Sequence, residues 1–414
     1  MPDARPVVVL HIGAMKTGTT FLQQLMVTNR EHLADAGYLF PGETWADQVR
    51  AANDALGKSR RDPRIKAAAA GAWPVMAAQM LAHRGPASVI SVEFLSFAGT
   101  RRARRIVEGL AGADVRIVLT VRDATALVPA QWQTDVHNGA AVSWPDYLRG
   151  VVRTGRGTGR LGRLSPDRAV RSFSRAQDVP RMLRVWADLV PPGRMHVVTV
   201  PPAGSPPRLL WERFAEAAGV PADLCPELPG RDNSSLGYAS SDLLRRTNAR
   251  LGRLRPSEYD PTFKHYLALD VLARRRDEEP RAALDRRARD FALGWNAHVR
   301  DAIARSGVRV TGDLADLPVA PGDSDDPPEE VRPPEAAAVL DAATVAVDAL
   351  ERLVARRTRR LTEAGGRVDP VGTAPTTGVE QWRRAAEPLE AAATEVARLG
   401  LVAVDLQRRI RAAR

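Results

Sequence analysis

Val7-Val8-Val9-Leu10-His11-Ile12-Gly13-Ala14-Met15-Lys16-Thr17-Gly18-Thr19-Thr20-Phe21-Leu22 is the stretch whose reading decides the fold. A run with the character of a buried strand ends in a short lysine-containing loop, and that loop opens directly into a helical pattern. A helix start leaves backbone N–H groups unpaired and carries partial positive charge, so a loop placed there can cradle an anionic oxygen cluster. Lys16 adds a point charge, and Thr17, Thr19 and Thr20 add hydroxyls. The loop of nucleotide triphosphatases, G-x-x-x-x-G-K-[ST], places lysine after its last glycine. Here Lys16 precedes Gly18. Lysine is also scarce, with only Lys16, Lys58, Lys66 and Lys264 among 60 basic residues. Its use where arginine is otherwise the rule points to a need for a compact charge.

Working outward, short apolar runs alternate with longer helical patterns, which predicts an α/β fold: a P-loop-like, doubly wound parallel sheet with helices on both faces. The expected strands are Pro6 to Ile12, Ala87 to Val92, Val115 to Val121 and Met195 to Val200. Each is nearly continuous in apolar residues, as strands covered on both faces must be. Helices are expected over Thr19 to Thr28, Arg64 to Ala82, Arg101 to Leu110 and Ala124 to His137. Phe21, Leu22, Leu25 and Met26 form the buried stripe of the first.

Ligands of open α/β sheets bind outside the carboxyl ends of the strands. The first strand ends in the Lys16 loop, the second in Ser91-Val92-Glu93-Phe94-Leu95-Ser96 and the third in Thr120-Val121-Arg122-Asp123. Glu93 has the position of a general base, or of a strand-end carboxylate bonded to backbone amides. An arginine fork at Arg122 suits a phosphate dianion, or a surface ion pair with Asp123. His11, inside the first strand, reads as a hydrogen-bonded core histidine. His137 either faces a substrate or caps its helix.

Lys16-Thr17-Gly18-Thr19-Thr20 resembles the K-[ST]-G-T-T core of the 5′-phosphosulfate loop of the sulfotransferases, enzymes that use 3′-phosphoadenosine 5′-phosphosulfate as donor. The order of Leu210-Trp211-Glu212-Arg213-Phe214, Asp232-Asn233-Ser234-Ser235-Leu236-Gly237 and Val310-Thr311-Gly312-Asp313-Leu314 extends the resemblance, to bacterial, actinobacterial-type members, over roughly residues 6 to 317. The resemblance implies donor binding by Lys16, Thr17, Gly18, Thr19 and Thr20, and 3′-phosphate binding by Arg122. The family's serine eight residues after that arginine is Ala130 here, with Thr125 and Gln131 as substitutes. Glu93 matches the glutamate base of the polysaccharide-type branch, so Lys16 and Glu93 are the implied catalytic pair. The implied acceptor is a small molecule or a carbohydrate, offering a hydroxyl or an amine. Arg231, Asn233 and Ser235 either cap a helix or close over the nucleotide.

The formal net charge of +11 suits polyanionic ligands. No zinc-ligand spacing or aromatic RNA-binding signature accompanies the arginines, so no nucleic-acid partner is expected. No His, Cys, Asp and Glu cluster has metal spacing. None is required, because a transferring sulfuryl group carries less negative charge than a phosphoryl group and lysine and backbone donors suffice. A lone Cys225 excludes an internal disulfide, and neither a secretory segment nor a membrane span is visible. A cytoplasmic enzyme is the expectation.

The segment from Leu148 to Arg175 is basic and glycine-rich, as befits a lid or a solvated surface excursion. Residues 318–334 have linker composition. Residues 335–414 form a helical tail, with stripes at Leu340, Ala343, Val347, Leu350 and Val354 and again at Leu389, Val396, Leu399, Ala403, Leu406 and Ile410. The break between the stripes predicts an antiparallel helical hairpin, whose apolar faces must dock on the 1–317 domain or on another subunit as a homo-oligomer. The rival functions are a kinase-like phosphate-loop enzyme and a non-catalytic nucleotide-binding or assembly protein.

Overall fold

The computed structural model describes residues 5–57, 62–154, 162, 164–230, 235–321, 328–366 and 377–413. Its centre is a five-stranded, all-parallel sheet made of β1 (Val7–His11), β2 (Ser88–Ser91), β3 (Asp114–Val121), β4 (Met195–Thr199) and β5 (Arg309–Thr311), in the order β2-β1-β3-β4-β5. Val9, Val89, Val118 and Val198 pack into one apolar cluster with Leu22, Leu25, Met26, Trp211 and Phe214. The alternate residues Val8, Leu10, Ile90, Ile117, Leu119 and Val197 are buried too, so the sheet is covered on both faces across β1 to β4. In this order the chain steps from β1 to one side for β2 and to the other for β3. The switch point therefore lies at the carboxyl ends of β1 and β3.

The four expected strands are all present. The fifth, β5, was not anticipated: it is three residues long and two of them are exposed. The expected helix over Arg64 to Ala82 is two helices, Pro63–Ala69 and Ala72–Ala82, separated at Gly71, whose φ of 77° is left-handed and caps the second.

The chain divides into two compact units that do not follow sequence order. The first comprises Met1–Val128, Gly150–Asp232 and Arg286–Pro327 and holds the sheet. The second comprises Pro129–Arg149, Asn233–Asp285 and Pro328–Arg414 and is helical. Within it the Asn248 amide donates to the carbonyls of Val136 and Ala140, and Tyr259 donates to the Asn248 Oδ1. Glu279, buried, accepts from Ser240 and Arg275.

The two long tail helices, Ala336–Glu363 and Pro388–Ala412, pack on each other, but the expected antiparallel hairpin is not what forms. Arg398 feels the Glu351 carboxylate, Arg357 bonds the Ala403 carbonyl, and Leu361 clusters with Leu406 and Ile410. The partners advance together along both helices, so the pair is parallel. The intervening segment of 24 residues has a reach of about 80 Å when extended, ample to return along a helix of about 42 Å. A short loop would have forced the hairpin; this connection does not. Gly400 lets the second helix approach Phe263, where a β-carbon would meet the ring at 2.4 Å. Among the described residues no helix is long and apolar enough to cross a membrane.

Candidate anion-binding site at the switch point

The loop after β1 is built from the backbone outward. The sheet ladder continues past the strand: Ala14 N–H donates to the Thr120 carbonyl at 2.9 Å, and Thr120 N–H to the Gly13 carbonyl at 2.7 Å. Gly13 and Gly18 have φ of 90° and 80°, and Lys16, at 62°, is the sole non-glycine with positive φ among the described residues. A left-handed lysine costs on the order of 1 kcal/mol and turns neighbouring amides toward one side, the geometry of an anion nest.

Six consecutive carbonyls are each taken by a protein donor. His11 accepts from Val92 N–H, Ile12 from Ser96 N–H and Gly13 from Thr120 N–H. Ala14 accepts from the Thr17 hydroxyl at 2.8 Å, Met15 from the Gln177 amide at 3.0 Å and Lys16 from the Arg122 guanidinium at 3.3 Å. The N–H groups of Met15, Thr17 and Gly18, by contrast, donate to no atom of the described residues. Gly18 caps the helix Thr19–Thr28 with no side chain, so that helix start is uncapped as well. The loop presents donors to whatever it holds and turns its acceptors away.

A directed hydrogen-bond chain supports the loop from beneath. His11 Nδ1 lies 2.7 Å from the Ser91 hydroxyl and Nε2 lies 3.2 Å from the Thr120 hydroxyl, which lies 2.5 Å from the Thr17 hydroxyl. The Ala14 carbonyl can only accept, so Thr17 gives it its one hydrogen, Thr120 donates to Thr17, and His11 donates from Nε2. In a neutral ring that leaves Nδ1 to accept from Ser91. Complete burial keeps the ring neutral, pushing the His11 pKa down to about 3. The chain runs from the end of β2 to the turn of the loop, and it commits the Thr17 hydroxyl inward.

Glu93 stands at the start of a short 3-10 turn after β2, half-buried and pressed against the loop. A β-carbon at Gly13 would lie 2.8 Å from the Glu93 Cβ and 3.0 Å from its Cα. The Gln23 amide, from the first helix, donates to Glu93 Oε2 and to the Ser91 carbonyl, each at 3.0 Å. Oε1 has no hydrogen-bond partner among the described residues. Arg122, at the end of β3, reaches the loop through the Lys16 carbonyl. The Asp123 carboxylate accepts instead from Thr125, through both its N–H and its hydroxyl, and from Asn296.

The residues expected from sequence thus separate into groups. Lys16, Gly18, Glu93 and Arg122 come together around one loop, Thr19 is buried at the helix start, and Thr20 is exposed. Thr125 and Gln131 bond Asp123 and Asp135, respectively. Ala130 and His137 belong to the helical unit. Arg231 and Asn233 lie outside the described residues, as does the glycine-rich run 155–161, which is flanked by the helices Trp144–Thr154 and Arg168–Ala176. Cys225 is buried, and burial raises its thiol to about 12, as befits a structural residue. Among the described residues no three His, Cys, Asp or Glu side chains converge as metal ligands do. Gln23 and Gln177 were missed. Gln23 left a signal, a polar residue beside the apolar stripe of Leu22, Leu25 and Met26; Gln177 left none.

No family model, curated protein or solved structure matches the chain. The chemistry of the site therefore rests on its own residues.

Proposed function

We propose that this protein is a sulfotransferase that moves a sulfuryl group from 3′-phosphoadenosine 5′-phosphosulfate to a hydroxyl or amine of a small-molecule or carbohydrate acceptor. One observation carries the reading: the carbonyls from His11 to Lys16 are all occupied, while the N–H groups of Met15, Thr17 and Gly18 and the uncapped helix start beside Lys16 have no protein acceptor among the described residues. That arrangement favours a multiply charged oxyanion over a neutral ligand.

In this reading the loop amides and Lys16 bind the 5′-phosphosulfate, with Thr19 and Thr20 at the helix start as further donors. Lys16 stabilises the charge that grows on the bridging oxygen as the S–O bond to the leaving phosphate breaks. Glu93, oriented through Oε2 by Gln23, accepts the acceptor's proton at Oε1 while the acceptor oxygen or nitrogen forms the new bond to sulfur. Arg122 reaches the 3′-phosphate from the strand beside the loop.

The deciding experiment is calorimetric titration with 3′-phosphoadenosine 5′-phosphate and, as control, adenosine 5′-phosphate, with EDTA throughout. Tight binding that needs the 3′-phosphate supports the donor assignment. Equal or absent binding of the two would overturn it and move the kinase-like and non-catalytic readings ahead. Given binding, Glu93→Gln is expected to lower turnover by about 100-fold or more at unchanged nucleotide affinity, whereas Lys16→Ala loses both.

A further inference from the structure

The helical unit contains a cavity of about 270 Å³ whose wall includes Tyr266, Asp270, Arg356, Arg357, Arg360 and Gln407. Arg357 is the unusual member. It is only 6% exposed, and its guanidinium donates through Nη1 to the Thr262 hydroxyl at 2.8 Å and the Ala403 carbonyl at 2.6 Å. Both acceptors are neutral. None of Arg356, Arg357 and Arg360 forms an ion pair with a carboxylate among the described residues, and Asp270 is the one acidic residue on the cavity wall. Arg356 lies over the Tyr266 ring at 5.3 Å, and both residues line the cavity.

A buried guanidinium without a counter-charge is costly, and this one sits among like charges. Burial first, and then Arg356, Arg411 and Arg360, bring its pKa down to about 10. Positions 356, 357 and 360 share one side of the helix Ala336–Glu363, so three planar forks open on one concavity. Arginine forks match the oxygen geometry of phosphate and sulfate. The cavity has room for more than a bare ion, given that a water takes up about 30 Å³.

We propose that Arg356, Arg357 and Arg360, with Gln407 on the opposite helix, form a second oxyanion site that takes a phosphate or sulfate monoester. The ligand supplies the counter-charge that the fold does not, and it joins the two parallel tail helices through Arg357 and Gln407. The site lies wholly within the helical unit and stands or falls independently of the loop at Lys16.

The test uses the full-length Lys16→Ala protein, so that the first loop does not contribute, titrated calorimetrically with glycerol 3-phosphate and with inorganic sulfate. Vesicles of phosphatidylcholine with or without phosphatidylinositol 4-phosphate form a separate sedimentation arm. The expected result is saturable binding of at least one anionic probe, weakened by about tenfold or more in Arg356→Gln/Arg360→Gln. These two arginines are exposed, so the variant folds. Arg357→Met, which removes the buried charge but keeps the volume, is expected to abolish binding without lowering thermal stability. A response to glycerol 3-phosphate identifies a soluble monoester, and a response to the anionic vesicles alone identifies a lipid headgroup. Absence of binding to every probe, or equal binding by Arg356→Gln/Arg360→Gln, would overturn the proposal.

Discussion

Gly13 leaves the space that Glu93 fills: a β-carbon added at Gly13 would lie 2.8 Å from the Glu93 Cβ. Gly13 also sits at φ 90°, where a side chain is strained in any case. Gly13→Ala is therefore expected to push Glu93 away from the loop and to destabilise the protein by about 1–3 kcal/mol. Urea unfolding gives the stability. If Glu93 acts as base, turnover falls further than the loss of folded protein explains.

Arg122 holds the Lys16 carbonyl and, in the proposed mechanism, also the 3′-phosphate. The two roles separate by titration. Loss of the phosphate contact weakens 3′-phosphoadenosine 5′-phosphate by about tenfold or more in Arg122→Ala and leaves adenosine 5′-phosphate unchanged. If Arg122 is a loop brace alone, both nucleotides weaken together. Arg122→Lys is not expected to rescue, because an ammonium lacks the planar fork.

His11 makes stability depend on acid. Its pKa is near 3 when folded and 6.5 as the ordinary value, so between these pH values the unfolded chain binds a proton that the folded one excludes. Its contribution to stability is complete above about pH 6.5, declines as pH falls, and is gone once pH passes below the folded value near 3. Within that window the slope is about 1.4 kcal/mol per pH unit. His11→Gln keeps a nitrogen donor and removes the titration. Urea unfolding at several pH values from 4 to 7 should show a flatter profile for the variant; an unchanged slope would mean that His11 is not the responsible group.

The parallel tail pair makes a distance prediction. Spin labels at Thr362→Cys and Arg411→Cys, beside the Leu361–Ile410 cluster, are expected to be close. Labels at Thr362→Cys and Glu387→Cys should be separated by roughly a helix length, about 35 Å. An antiparallel hairpin would reverse the two results in a pulsed electron-spin measurement.

How much of this was legible depended on the range of the interactions involved. Val7 to Leu10 and Ile117 to Val121 announce buried parallel strands by composition alone, and the strand–loop–helix order placed Lys16, Glu93 and Arg122 on one rim. Strand β5 carries no such signal: Arg309 and Val310 are exposed, and only pairing to β4 makes a strand of them. The tail stripes predict two helices that pack, but a heptad-like stripe reads the same for either relative direction. Thr17 looked like a ligand hydroxyl because its neighbours are. That it donates inward depends on Thr120, which is brought beside it by the sheet.

The interleaving of the two units has a consequence for how the chain is made. Residues 195–199 leave the ribosome long before residues 309–311, and a long helical stretch assigned to the other unit, Asn233–Asp285, is synthesised in between. The sheet's outer edge at β4 stays open through that interval, a bare template for mispairing. Co-translational folding of this protein should therefore be most dependent on chaperones while that middle stretch emerges, and slower codons there would prolong the exposure.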